Sequence, residues 1–203
     1  MALLHRATIR PTKLELLTDW VPTQPWGEPA IELVGAYRFD DPDGLVGIET
    51  HILASSAGLL QAPLTYRGAP LDGADRFLVC TMEHSVLGPR WVYDAVGDPV
   101  YARVLASVLL AGAGQAEELV EGADAPREPS VRVTGSGSAS HAGSSVGDMT
   151  VSSEGSASVL QSDDLRIVVL RRLLADATDG GRESILTGTW TGVDTPVLLA
   201  YVD

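Results

Sequence analysis

The chain is punctuated the way hairpins are. Between residues 30 and 96, five apolar strand-length runs follow one another: "AIELVGAYRFD", "LVGIETHILASS", "LLQAPLTYRG", "RFLVCTMEHSV" and "RWVYDAV". Breaks rich in glycine, proline and aspartate, such as "DDPDG", separate them. Parallel strands need a long crossover between them, and these breaks are too short to hold one. The runs therefore predict an antiparallel sheet, with Pro63 placing the third run at an edge or a bulge. The C-terminal third repeats the pattern in "SVRVTG", "DMTVSSE", "SASVLQ", "LRIVVLRRLL", "ESILTGTWT" and "TPVLLAYV", joined by turns such as "TDGGR" and "GVD". That spacing predicts a second antiparallel unit, a β meander or half-barrel. Its terminal apolar strand, "LLAYVD", reads as an edge that must be paired or covered.

Two segments carry the helical period instead. In "RPTKLELLTDWV", Thr12 is placed to cap a helix, with Glu15 three residues on and Leu14, Leu17 and Val21 on one face. In "DPVYARVLASVLLAGAGQAEELV", Asp98 and Pro99 form an N-cap and first-turn pair, and Val104, Leu105, Val108 and Leu109 make an apolar face. The fold class expected is α+β: an antiparallel sheet flanked by helices over 1–121, a linker at 122–130, and the strand-rich part over 131–203.

With 203 residues, 45% of them apolar, the chain is long enough to bury a core. A net charge of −13 disfavours nucleic acid and anionic membranes, which recruit lysine and arginine; Lys13 is the single lysine. Cys80 is the one cysteine, so no internal disulfide or thiol cluster can form. No apolar run reaches the ~20 residues that span a bilayer, and the N-terminus lacks a signal-peptide pattern, so a cytoplasmic protein is expected.

The stretch "VTGSGSASHAGSSVGDM", Val133 to Met149, is crowded with glycine and serine. A phosphate-cradling loop needs a lysine and a following helix. This stretch has neither, so it reads as a loose hairpin connection. His5, His51, His84 and His141 are scattered without metal-ligand spacing, and no nucleophile elbow supports a serine triad. Neither a metal nor another cofactor is expected. The most site-like segments are "TYRGAPLDGADR" and "GPRWVYD". Tyr66 and Trp91 could stack on a sugar there, and Arg67, Asp72, Asp75, Arg90 and Asp94 could bond its hydroxyls. The competing reading packs Trp91 and Tyr93 in the core, makes a turn of Asp72 and Gly73 and pairs Arg67 with a carboxylate.

"LLTDWVPTQPWG", "LLQAPLTYRG" and "WVYDAVGDPVYARVLASVL" together resemble the N-terminal cap domain of actinobacterial maltokinases. Trp20, Pro22, Gln24, Trp26, Tyr93, Asp94, Asp98 and Pro99 stand at the positions of that family's pattern. The resemblance implies a structural module without catalytic residues of its own. In that family the cap precedes a two-lobed kinase that phosphorylates maltose with ATP and feeds α-glucan synthesis. "SASVLQSDDLRIVVLRRLL" resembles the opening strands of such a kinase, but places Val168 where the ATP-binding lysine would stand. No catalytic-loop aspartate or metal-binding triplet follows. ATP binding and transfer to maltose are therefore not expected of this chain.

Two functions follow from this reading. One is a non-catalytic accessory or interaction module linked to α-glucan, trehalose or maltose metabolism, acting as a homodimer or on a sugar-metabolism enzyme. The other is a carbohydrate-binding protein or enzyme that uses the Tyr66–Asp75 and Trp91 region.

Overall fold

The computed structural model describes residues 2–138, 149–174 and 180–203. Along the chain it runs β1 (Ala2–Leu4), β2 (Ile9–Arg10), α1 (Lys13–Trp20), β3 (Ile31–Phe39), β4 (Gly47–Ser55), β5 (Gly58–Arg67), β6 (Leu78–His84), β7 (Gly88–Asp94), α2 (Pro99–Ala111) and β8 (Glu118–Val120). The C-terminal part adds β9 (Val131–Gly135), β10 (Thr150–Glu154), β11 (Ala157–Gln161), β12 (Arg166–Leu170), β13 (Arg172–Leu173), β14 (Ile185–Trp190) and β15 (Val193–Val202).

The hairpin punctuation becomes two antiparallel sheets. The first is ordered β2-β6-β7-β5-β4-β3, with β13 also on β5. The second is ordered β10-β11-β12-β15-β14-β9 and curls as a half-barrel rather than running in chain order. The architecture is mostly β, and the helices flank it less than the α+β expectation implied. One pairing departs from the antiparallel expectation: β1, in a segment not read as a strand, runs parallel to β8.

Both helices form where their caps predict. Thr12 and Glu15 close a reciprocal capping box on α1, and the Asp98 side chain accepts from Val100 N at 2.9 Å to start α2. The buried face of α1 is Leu16, Leu17 and the following Val21; Leu14, expected on it, is exposed. The helix is rotated so that the same side carries Lys13 down to a buried glutamate. α2 buries Tyr101, Ala102, Val104, Leu105, Ala106, Val108 and Leu109, which is nearly all round. A helix that apolar needs cover on more than one side. It finds that cover in β3 and β4 of the first sheet and in β9, β11, β12, β14 and β15 of the second, all within one apolar core. The hydrophobic core thus crosses the linker. A second core packs α1, Val21 and Trp26 on the opposite face of the first sheet, against Leu53, Leu60, Ala62, Leu64, Met82 and Val92.

Three expectations change. Pro63 is not at an edge: β5 pairs with β4 along its length, and with β13 and then β7 on its other side. Gln61 N points to that other side and donates to Arg171 O, so the proline nitrogen two residues on faces the gap between β13 and β7. The terminal strand β15 is likewise interior, held between β12 and β14. Its Val197–Ala200 run is buried throughout, as a strand covered on both faces should be. Finally, the glycine-serine stretch does not join a hairpin. β9 and β10 lie at opposite ends of the second sheet; residues 139–148 between them, His141 included, lie outside the described residues. The glycines at its start have a different purpose. A Cβ on Gly135 would sit 2.3 Å from Val108 O, and one on Gly137 would sit 2.3 Å from Leu109 O. The chain lies flush against the carbonyl end of α2, the electronegative end of a helix, which repels phosphate.

One polar residue bolts the layers together. Gln61 is buried. Its Oε1 accepts from Tyr37 Oη at 3.0 Å, and its Nε2 donates to Leu170 O at 2.9 Å and Leu199 O at 3.1 Å. Strands of both sheets meet on this single amide, and both of its ends are satisfied.

Candidate functional site

The chain leaves α1 at Trp20, makes one tight turn and folds back at Trp26. A Cβ on Gly27 would fall 1.7 Å from Val21 O, so this turn closes only with glycine. The turn brings the two indoles edge to face, with ring centroids 5.6 Å apart. Behind Trp26 stands Arg171, fully buried, its guanidinium 5.0 Å from the indole ring. Arg171 comes from between β12 and β13, where the chain passes from one sheet to the other. Its Nη2 donates to both oxygens of Asp94, at 2.6 and 2.7 Å, and its Nε donates to Ser158 Oγ at 2.8 Å.

These contacts floor a cleft of about 240 Å³ at the seam between the two sheets. Trp20, Gln24 and Trp26 form one wall, Arg76 and Phe77 a second, and Ser152 and Ser153 of β10 a third. Phe77 packs close against Gly97, where a Cβ would lie 2.1 Å from the phenyl ring, and the Arg76 guanidinium lies over that ring, 4.6 Å from its centroid.

A second polar group lies under α1. Glu49 is buried; Lys13 Nζ stands 2.5 Å from its Oε2, Arg38 Nη2 3.1 Å and His51 Nε2 3.6 Å. Tyr66 Oη is 3.4 Å from the same imidazole nitrogen. Burial by itself would raise the Glu49 carboxyl, but His51, Arg38 and Lys13 overrule it and hold it well below the usual carboxylate range. Burial drives His51 down to about 4, with Glu49 opposing. Burial, then the nearby Glu49 charge, raises the Tyr66 phenol. At neutral pH the group holds an ionised glutamate and a neutral histidine, which secure the helix to the sheet.

The structure does not gather the residues singled out from the sequence into one site. Tyr66 and Arg67 are successive residues of β5 and point to opposite faces. Tyr66 joins the Glu49 group. Arg67 forks onto Asp98, Nε to Oδ2 and Nη2 to Oδ1, both at 2.7 Å, and so steadies the cap of α2. Asp72 is exposed in a turn with Gly73, whose φ is +73°. Asp75 is exposed on the short turn before β6. Arg90 Nη2 donates to Leu87 O at 2.7 Å, within its own hairpin. Trp91 is half-buried in β7, opposite Thr81 and Arg67. Asp94 lies on the other face of β7 and is the one member that reaches the cleft. The histidines are less scattered than their spacing suggested, since the rings of His5 and His84 meet edge to face at 6.0 Å.

Residues 20–98 match the maltokinase N-terminal cap domain. The match begins at Trp20, on the cleft wall, and ends at Asp98, the N-cap of α2. No curated protein gives a significant match to the chain. The cap-like stretch therefore supplies Trp20, Gln24, Trp26, Arg76, Phe77 and Asp94 to the cleft, and the C-terminal sheet supplies its serines, with Arg171 buried behind the Asp94 floor. Trp20, Gln24 and Trp26 were visible in the sequence as positions of the cap pattern, which gave them a structural meaning only. Arg76 and Phe77 adjoin Asp75 but carry no motif. Nothing local marks Ser152, Ser153 or Arg171, because their place depends on how one sheet docks on the other.

Proposed function

We propose that this chain is a cytoplasmic, non-catalytic accessory module of maltose, trehalose or α-glucan metabolism, in which a maltokinase-like cap is closed by the protein's own C-terminal sheet. The observation that carries this reading is the Asp94–Arg171 joint. Both carboxylate oxygens of Asp94 accept from one guanidinium that has no access to solvent. A carboxylate held in this way is a structural anchor and a poor general base. Two other charged groups of the cap-like stretch are spent similarly, Arg67 on Asp98 and Glu49 on Lys13 and Arg38. Val168, at the position of the kinase lysine, is buried in β12, which adds support.

The module acts through contacts with a second copy or with a sugar-metabolism enzyme. The test has two parts on the full-length protein. Incubation with ATP, magnesium and maltose should give no maltose phosphate. Affinity capture from the native cytosol, with mass determination in solution, should enrich a maltose, trehalose or glucan enzyme or show a stable dimer. Phosphoryl transfer by the purified chain, or a strict monomer that enriches no such enzyme, would overturn the proposal. The carbohydrate-binding alternative shifts from the Tyr66–Asp75 and Trp91 region to the seam cleft, with Asp94 common to both.

A further inference from the structure

We propose that the seam cleft is a binding site for a neutral saccharide, taking one hexopyranose ring against Trp20. A pyranose has an apolar face of C–H groups and a rim of hydroxyls. It is held by a flat ring on the one and by planar or hydroxylic hydrogen-bonding groups on the other. The cleft supplies both. Trp20 is half-buried, so part of its indole remains open, and Trp26, fully packed beneath, fixes its tilt at 76° between the ring planes. The Arg76 guanidinium is exposed, pre-set by stacking on Phe77, and makes no ion pair among the described residues. Ser152 and Ser153 bring hydroxyls from the facing sheet, and the floor is the Asp94 carboxylate.

The same lining argues against an anion. A phosphate or carboxylate ligand would meet Asp94, whose guanidinium partner faces it from behind, and would have Arg76 as its one cation in the wall. A neutral polyol instead finds both donors and acceptors: guanidinium, carboxylate, hydroxyl and amide. The site exists only where the cap-like stretch and the C-terminal sheet meet, so it does not depend on any partner of the accessory reading.

The experiment is isothermal titration of the full-length protein with glucose, maltose and maltotriose, with adenosine and inorganic phosphate as comparison ligands. Tryptophan fluorescence is followed in parallel. Saturable binding of at least one of the three sugars is expected, weakened about tenfold or more in both Trp20→Ala and Arg76→Ala. Arg76 is exposed, so Arg76→Ala should keep the wild-type melting temperature; it decides the matter if Trp20→Ala fails to fold. No saturable sugar binding, sugar binding unchanged in Arg76→Ala, or binding of adenosine or phosphate in preference to the sugars would overturn the proposal. None of these outcomes bears on capture of a protein partner, so the two readings fail separately.

Discussion

Glu49 and His51 are two residues apart on one face of β4, and their ionisation should set how the protein responds to acid. His51 titrates near 4 in the folded chain, against about 6.5 when unfolded. The unfolded state therefore binds the proton first, and stability should fall as pH drops from about 6.5 to 4, by roughly 3 kcal/mol. Glu49 adds a second limb of the same sign. Its folded value is depressed, so its contribution is present above the unfolded carboxylate range and is lost as pH falls below about 4. Urea unfolding across pH should show both limbs. His51→Phe should flatten the 6.5-to-4 limb and also shrink the acid one, which Arg38 and Lys13 would still sustain; an unchanged upper limb would contradict the assignment. A second residue-scale prediction concerns Arg171. Arg171→Leu strands a buried carboxylate and should cost about 3–5 kcal/mol, whereas Asp94→Leu combined with Arg171→Leu should cost less than the single change. Urea midpoints of the three variants check the order.

At the scale of elements, α2 is the centre of the molecule, and the start of the glycine-serine stretch is shaped to fit its end. Gly135→Ala would drive a methyl into Val108 O and should destabilise by about 1–3 kcal/mol, while Gly114→Ala, with open space around it, should be close to neutral in thermal unfolding. Strands and helices were largely legible in the sequence because their signals are local: the Thr12–Glu15 box, the Asp98–Pro99 start and the glycine and aspartate turns. Their neighbours were not legible. Pro63 and "LLAYVD" carried edge signals, yet β5 and β15 are interior. A missing N–H or a chain end does not reveal which strand arrives from a hundred residues away. The glycines of 133–149 looked like flexibility, and at 135 and 137 they are close packing.

For the whole molecule, two features join the stretch that matches the maltokinase cap to the C-terminal sheet. One is the apolar core around α2; the other is the pair of buried polar joints at Gln61 and Arg171. The cleft lies on that seam, which is why only half of it could be found in advance. The cap motif contains Trp20, Gln24 and Trp26, but the serines opposite them belong to a sheet whose docking no local pattern encodes. If the sheet closes the cap as these joints indicate, neither part should unfold without the other. Trp20, Trp26 and Trp91 report on the cap-like stretch, and Trp190 on the C-terminal sheet. The direct measurement is equilibrium urea unfolding of the full chain, followed by fluorescence with Trp190 alone retained and then with Trp190 alone replaced by Phe. One coincident transition is predicted, moved as a unit to lower urea by Arg171→Leu. Two separated transitions, with Arg171→Leu shifting only one of them, would contradict it.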